Sequence, residues 1–136
     1  MKRLVITVLL GLVGVFALAG GIRAIQASEP GISPESLAQA IRAGQAPLVL
    51  DVRTPEEYAA GHIPGAVLIP HDHLAERLAE LGGATEVVVY CHSGRRAGIA
   101  EDILIEAGIG VSQLEGSWLA WQAAGLPVDV PGRAAE

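Results

Sequence analysis

Past residue 30, hydrophobic positions follow two rhythms that alternate along the chain. One is the three- and four-residue spacing of an amphipathic helix, first seen in Leu37, Ala38 and Ile41. There Ser33 is placed to cap, Pro34 suits the first turn, and Gly44 ends the run. The other is the short apolar run of a strand buried on both faces, as in Leu48-Val49-Leu50-Asp51-Val52. Thr54-Pro55-Glu56-Glu57 reads as a capping box opening a short helix that ends near Gly61. Ala66-Val67-Leu68-Ile69 predicts a second strand, 74–81 a helix stopped by Gly82-Gly83, and Val87-Val88-Val89-Tyr90 a third strand running straight into Cys91. A helix over 97–107, a strand at Val111-Ser112-Gln113-Leu114 and a last helix over 118–124 complete the pattern, with Gly108 and Gly125 as stops. Strands alternating with helices predict an α/β domain whose central sheet is mostly parallel and flanked by helices.

Residues 1–27 break this pattern. Lys2 and Arg3 form a basic head before an uncharged apolar run over 4–22, which reads as an export signal. Ala17-Leu18-Ala19 before Gly20 and Ile25-Gln26-Ala27 before Ser28 both satisfy the small-residue rule for cleavage. The same run, at ~1.5 Å per residue, matches a hydrocarbon core of ~30 Å, so it also fits an uncleaved membrane anchor. Both readings place residues 28–136 outside the cytoplasm, in a periplasmic or other extracytoplasmic setting, because the basic head stays inside. What remains after the segment is about a hundred residues, room for one domain.

Charge narrows the partners. Beyond Ala27 six arginines, no lysine and fifteen acids leave a formal charge of −9, which disfavours nucleic acid and anionic lipid surfaces. Aromatic residues make up only 4% of the sequence, so Leu, Ile, Val and Ala must build the core. Cys91 is the only cysteine, so an internal disulfide is excluded and the thiol is either an inert core residue or reserved for chemistry.

Its position favours chemistry. Cys91 stands where a strand hands over to a helix, at the carboxyl end of the sheet where doubly wound folds bind ligands. Residues 92–96 can curl their amides around the sulfur at a helix N-terminus, whose partial positive charge favours a thiolate, and Gly94 permits the curvature. Arg95 and Arg96 supply two of the six positive charges within five residues of the thiol, which suggests an anionic substrate.

The motifs now assembled resemble the rhodanese family. The resemblance runs in order through Leu50-Asp51-Val52-Arg53 with Glu57-Tyr58, Gly61-His62-Ile63-Pro64-Gly65-Ala66, Cys91-His92-Ser93-Gly94-Arg95-Arg96, and Trp121 with Ala124-Gly125-Leu126-Pro127-Val128. Single-domain periplasmic thiosulfate sulfurtransferases are the most similar in kind. The resemblance implies a three-layer domain and a Cys91 thiolate that takes sulfane sulfur from thiosulfate or another small anionic donor. It then passes the sulfur, held as a persulfide, to cyanide, a thiol or a protein acceptor. It also implies that the amides of His92, Ser93, Gly94, Arg95 and Arg96 cradle the persulfide and that Arg95 or Arg96 binds the donor. Two positions depart from the family pattern. Ala97 stands where many relatives carry a hydroxyl, leaving Ser93 as a substitute, and Glu115-Gly116-Ser117 replaces a common Gly-Gly pair.

Other residues have plainer expected roles. Asp51 and Arg53 lie at a strand end as supporting positions, with Glu57 the expected partner of Arg53. His62 suits a side-chain-to-backbone bond in its turn, and His92 neighbours the thiol. His71-Asp72-His73 has the look of a metal box but places no third ligand, so a polar turn with Asp72 capping the next helix is expected, and neither metal nor cofactor. Trp118 and Trp121 share a helix face, with Trp118 the better placed to line the site. Two rival functions differ in kind: a sulfur-carrying or binding module serving a partner protein, and a cysteine phosphatase or arsenate reductase. The latter needs Cys, five residues, then Arg, and here that last position is Ala97.

Overall fold

The computed structural model describes residues 29–133; the export or anchor segment expected over residues 1–27 lies outside them. Among the described residues four α-helices and four strands follow in the order α1 (Pro34–Arg42), β1 (Leu48–Asp51), α2 (Pro55–Ala60), β2 (Val67–Leu68), β3 (Glu86–Tyr90), α3 (Arg95–Glu106), β4 (Gly110–Gln113) and α4 (Ser117–Ala123), with no α-helix between β2 and β3. Local chemistry starts the first two helices as expected. The Ser33 hydroxyl accepts the Ser36 amide at 3.2 Å, and Thr54 and Glu57 exchange both bonds of a capping box.

The four strands pair in the order β2-β1-β3-β4, every pair parallel. Val49, Val88 and Tyr90 face a core shared with Leu37, Ile63, Trp118 and Trp121, while Leu50, Val87, Val89 and Cys91 face one shared with Ile69, Leu74, Ala97, Ala100 and Leu104. Burial on both faces is what the unbroken apolar runs require, and it makes the sheet the middle of three layers. From β1 the chain turns toward β2, and from β3 toward β4 on the other side. The carboxyl ends of β1 and β3 thus form the point where the winding reverses, the usual place for a ligand site.

Two elements differ from expectation. Residues 74–81 form two short 3-10 turns, Leu74–Glu76 and Leu78–Leu81, instead of one α-helix. Asp72 does not cap them: His73 occupies the cap position without a side-chain bond, and the exposed Asp72 carboxylate lies 3.9 Å from His73 Nε2. Without a cap, the segment follows its i,i+3 contacts, of which Arg77–Glu80 is one, and these suit the tighter winding. The second difference is that α3 begins at Arg95, so both arginines belong to its first turn and the loop proper is shorter than the motif.

The central strands carry the fold's stability. Truncating the fully buried Leu50 to Ala is expected to cost about 2–5 kcal/mol in urea unfolding, with the m-value unchanged. Ile99→Ala, on the exposed face of α3, should stay within about 0.5 kcal/mol of the parent.

Candidate active site

Cys91 follows β3 directly and is 1% exposed, its side chain turned into the core face that α3 covers. The chain then curls back on the sulfur. The Gly94 amide donates to Cys91 Sγ at 3.0 Å, and Gly94 adopts φ 119° as the residue that precedes α3. That backbone geometry is open to glycine and strained for other residues. The amino end of α4 secures the other side of the loop, where Trp118 and Leu119 amides donate to the Cys91 and His92 carbonyls at 3.0 and 3.1 Å. Of the remaining motif residues, His92, Ser93 and Arg95 are exposed and Arg96 is half-buried.

Ser117 is the residue that sequence reasoning passed over. Its hydroxyl accepts the Cys91 amide at 3.4 Å and lies 4.0 Å from Sγ, within reach of a sulfur hydrogen bond. Among the described residues it is the only non-glycine with a positive φ, 53°, and it is buried. The signal was present as the departure from Gly-Gly: a serine at a glycine position needs a reason, and here its hydroxyl faces the thiol. The hydroxyl absent at Ala97 thus has a counterpart on α4 instead of at Ser93.

Beneath the loop lies a buried polar knot. The Asp51 carboxylate accepts both Arg53 Nε and a terminal nitrogen, the latter at 2.7 Å, together with the Arg53 amide at 2.9 Å and the Tyr90 hydroxyl at 2.6 Å. Tyr90 in turn accepts the Ile63 amide, and Arg53 donates to the Gly61 carbonyl. Burial alone would lower the Arg53 pKa, but the Asp51 hydrogen bond and charge outweigh it and raise it; burial and then Asp51 push the Tyr90 phenol far above its ordinary value. The Arg53 guanidinium also lies over the Trp118 ring at 4.5 Å and the Tyr90 ring at 5.4 Å.

Arg53 therefore pairs with Asp51 and not with Glu57, correcting the sequence expectation. Glu57 reaches across to Arg96 instead, with both carboxylate oxygens held at 2.7 and 3.0 Å. This hydrogen-bonded pairing pulls the Glu57 carboxyl down to about 2. A cleft at the loop's edge is lined by Arg53, Glu57, Ala60, Gly61, His92, Trp118 and Gln122, so Trp118 does line it while Trp121 stays in the core. His62 bonds the Tyr58 carbonyl through Nδ1 at 3.1 Å and stacks on the Tyr58 ring, the backbone role expected of it. Among the described residues no three His, Cys, Asp or Glu side chains are grouped to hold a metal.

The rhodanese-like domain family model matches residues 33–124. The chain belongs to the rhodanese-like domain family. A sulfurtransferase of Allochromatium vinosum is 39% identical over 101 residues, covering 74% of this chain and 94% of that protein. An HTH-type transcriptional regulator of Mycobacterium tuberculosis is 47% identical over 104 residues, and the match spans 74% of this chain but only 45% of the regulator's length. In three dimensions, the crystal structure of a rhodanese-related protein from Thermoplasma volcanium superposes with a TM-score of 0.67 at 30% identity, covering 75% of this chain and 99% of that one. The rhodanese-like fold, with a parallel sheet between helical layers, is the one the motifs implied.

Two predictions test the electrostatics. Asp51→Asn leaves Arg53 buried without its counter-ion and should cost about 3–5 kcal/mol in denaturant unfolding. Because the Glu57 pKa is depressed in the fold, from 4.5 to about 2, its ion pair contributes fully above the higher value and is lost as pH falls through the lower one. The urea-midpoint gap between the parent and Glu57→Gln should thus hold constant near neutral pH and close between pH 4.5 and about 2.

Proposed function

We propose that this protein is a sulfurtransferase that takes sulfane sulfur from thiosulfate or a similar donor onto Cys91 and hands it to cyanide or a thiol. The observation that carries the reading is the Gly94 amide held 3.0 Å from Cys91 Sγ at the start of α3, a donor aimed at charge on that sulfur. The Cys91 thiolate attacks the outer sulfur of thiosulfate; the sulfur–sulfur bond of the donor breaks, and sulfite leaves with the electron pair. The persulfide left on Cys91 then gives its terminal sulfur to the acceptor, and the thiolate is regenerated. Backbone amides of the loop and the Ser117 hydroxyl hold the charged sulfur through both steps, while Arg95 at the rim meets the donor's oxygens.

The phosphatase reading is disfavoured because Ala97, at the position needing an arginine, is a fully buried core residue. A sulfur-carrying role has a specific observation behind it: with one cysteine in the sequence, the persulfide has no internal thiol to resolve it and waits for an external acceptor. Export or anchoring by residues 1–27, and hence an extracytoplasmic site of action, belongs to the same proposal.

Intact-mass measurement after thiosulfate treatment should show an adduct of about 32 Da, lost in Cys91→Ala. Thiocyanate should form from thiosulfate and cyanide, and Ser117→Gly, which keeps the backbone geometry but removes the hydroxyl, should slow it about ten-fold. Cys91-dependent phosphate release from an aryl phosphate, without thiocyanate, would reverse the assignment.

A further inference from the structure

Three arginines lie about the Cys91 loop, Arg53 in the cleft beside it and Arg95 and Arg96 at the start of α3, and two are already engaged. Arg53 is occupied by Asp51 and the Gly61 carbonyl, and Arg96 by both oxygens of Glu57. Only Arg95, exposed on the first turn of α3, carries no ion pair. Glu57 also stands in the wall of the cleft beside the loop, whose lining includes Trp118. The positive field that two adjacent arginines suggest in the sequence is thus half cancelled beside the loop. What the loop does provide is a backbone amide on Sγ and the amino end of a twelve-residue helix, a setting for one negative charge.

We propose that Glu57 is a specificity-determining residue which, by holding both terminal nitrogens of Arg96, makes the site select an organic persulfide over a dianionic donor such as thiosulfate. This rests on the sulfurtransferase reading and narrows its donor class. The charge balance of the two transfers differs. Thiolate and thiosulfate bring three negative charges together and separate as persulfide and sulfite. Thiolate and a protonated organic persulfide bring only one: the thiolate attacks the outer sulfur, the donor's sulfur–sulfur bond breaks, and an organic thiolate leaves with the electron pair. At an effective dielectric suited to a half-exposed site, each extra like charge is resisted by an amount comparable to a surface ion pair. Freeing Arg96 removes that resistance.

The experiment compares initial rates of adduct formation at Cys91 from thiosulfate and from cysteine persulfide, by intact mass. The parent protein should load from cysteine persulfide at least ten-fold more efficiently. Glu57→Gln should shrink that preference about five-fold by speeding thiosulfate loading. Gln122→Lys, which adds an unengaged cation to the exposed rim of the same cleft and leaves the Glu57–Arg96 pair intact, should shift it the same way if Glu57→Gln fails to fold. A parent protein that prefers thiosulfate, or a preference unchanged in the folded variants, overturns the inference while leaving the sulfurtransferase reading in place. Failure to load from either donor removes both.

Discussion

The charge on Asp51 is the constraint on which the site's geometry depends. A carboxylate sealed at the end of β1 must be paired and hydrogen-bonded, or its burial becomes prohibitive. It is met by a guanidinium from two residues along and a phenol from its register partner on β3. Through those two groups it also reaches the Gly61–Ile63 turn and the Trp118 ring. The strand ends, the turn and α4 are therefore positioned by one anion, and Cys91 is the next residue after Tyr90. Among the described residues no buried side-chain nitrogen or oxygen lacks a partner, so this polar core is fully satisfied and can act as a rigid floor.

Local signals carried most of the architecture into the sequence. The capped starts of α1 and α2, the apolar strands and the strand-to-helix handover at Cys91 all depend on neighbours a few residues apart. The long-range pairings were not legible. Glu57 and Arg96 are 39 residues apart, and nothing local told Glu57 to prefer Arg96 over Arg53. Tyr90 read as one more strand residue, although a phenol ending a buried strand needs a partner for its hydroxyl. The segment 74–81 misled because its leucine spacing fits a helix, whereas only a cap or deeper burial would have favoured α over 3-10 winding. Ser117 was visible only as a missing glycine, since its 26-residue distance from Cys91 conceals the contact.

Around the sulfur, backbone and side chains divide the work. The Gly94 amide, at the start of α3, and the Ser117 hydroxyl lie against Cys91 Sγ. Side chains form the surroundings: Arg95 is exposed to solvent, and Glu57, paired with Arg96, lines the neighbouring cleft with Trp118 and Gln122. The backbone amide is held in its orientation by the turn into α3 and needs no side-chain rearrangement, the kind of preorganisation on which electrostatic stabilisation depends.

That division has a consequence for how the domain can change over time. Because the sulfur is met by the Gly94 amide and the buried Ser117 hydroxyl, it does not depend on the side chains of the exposed residues His92, Ser93 and Arg95. Substitutions there change the exposed surface of the loop while Gly94, Ser117 and the knot beneath stay in place. Such a loop can vary one surface residue at a time while the atoms that meet the sulfur are kept.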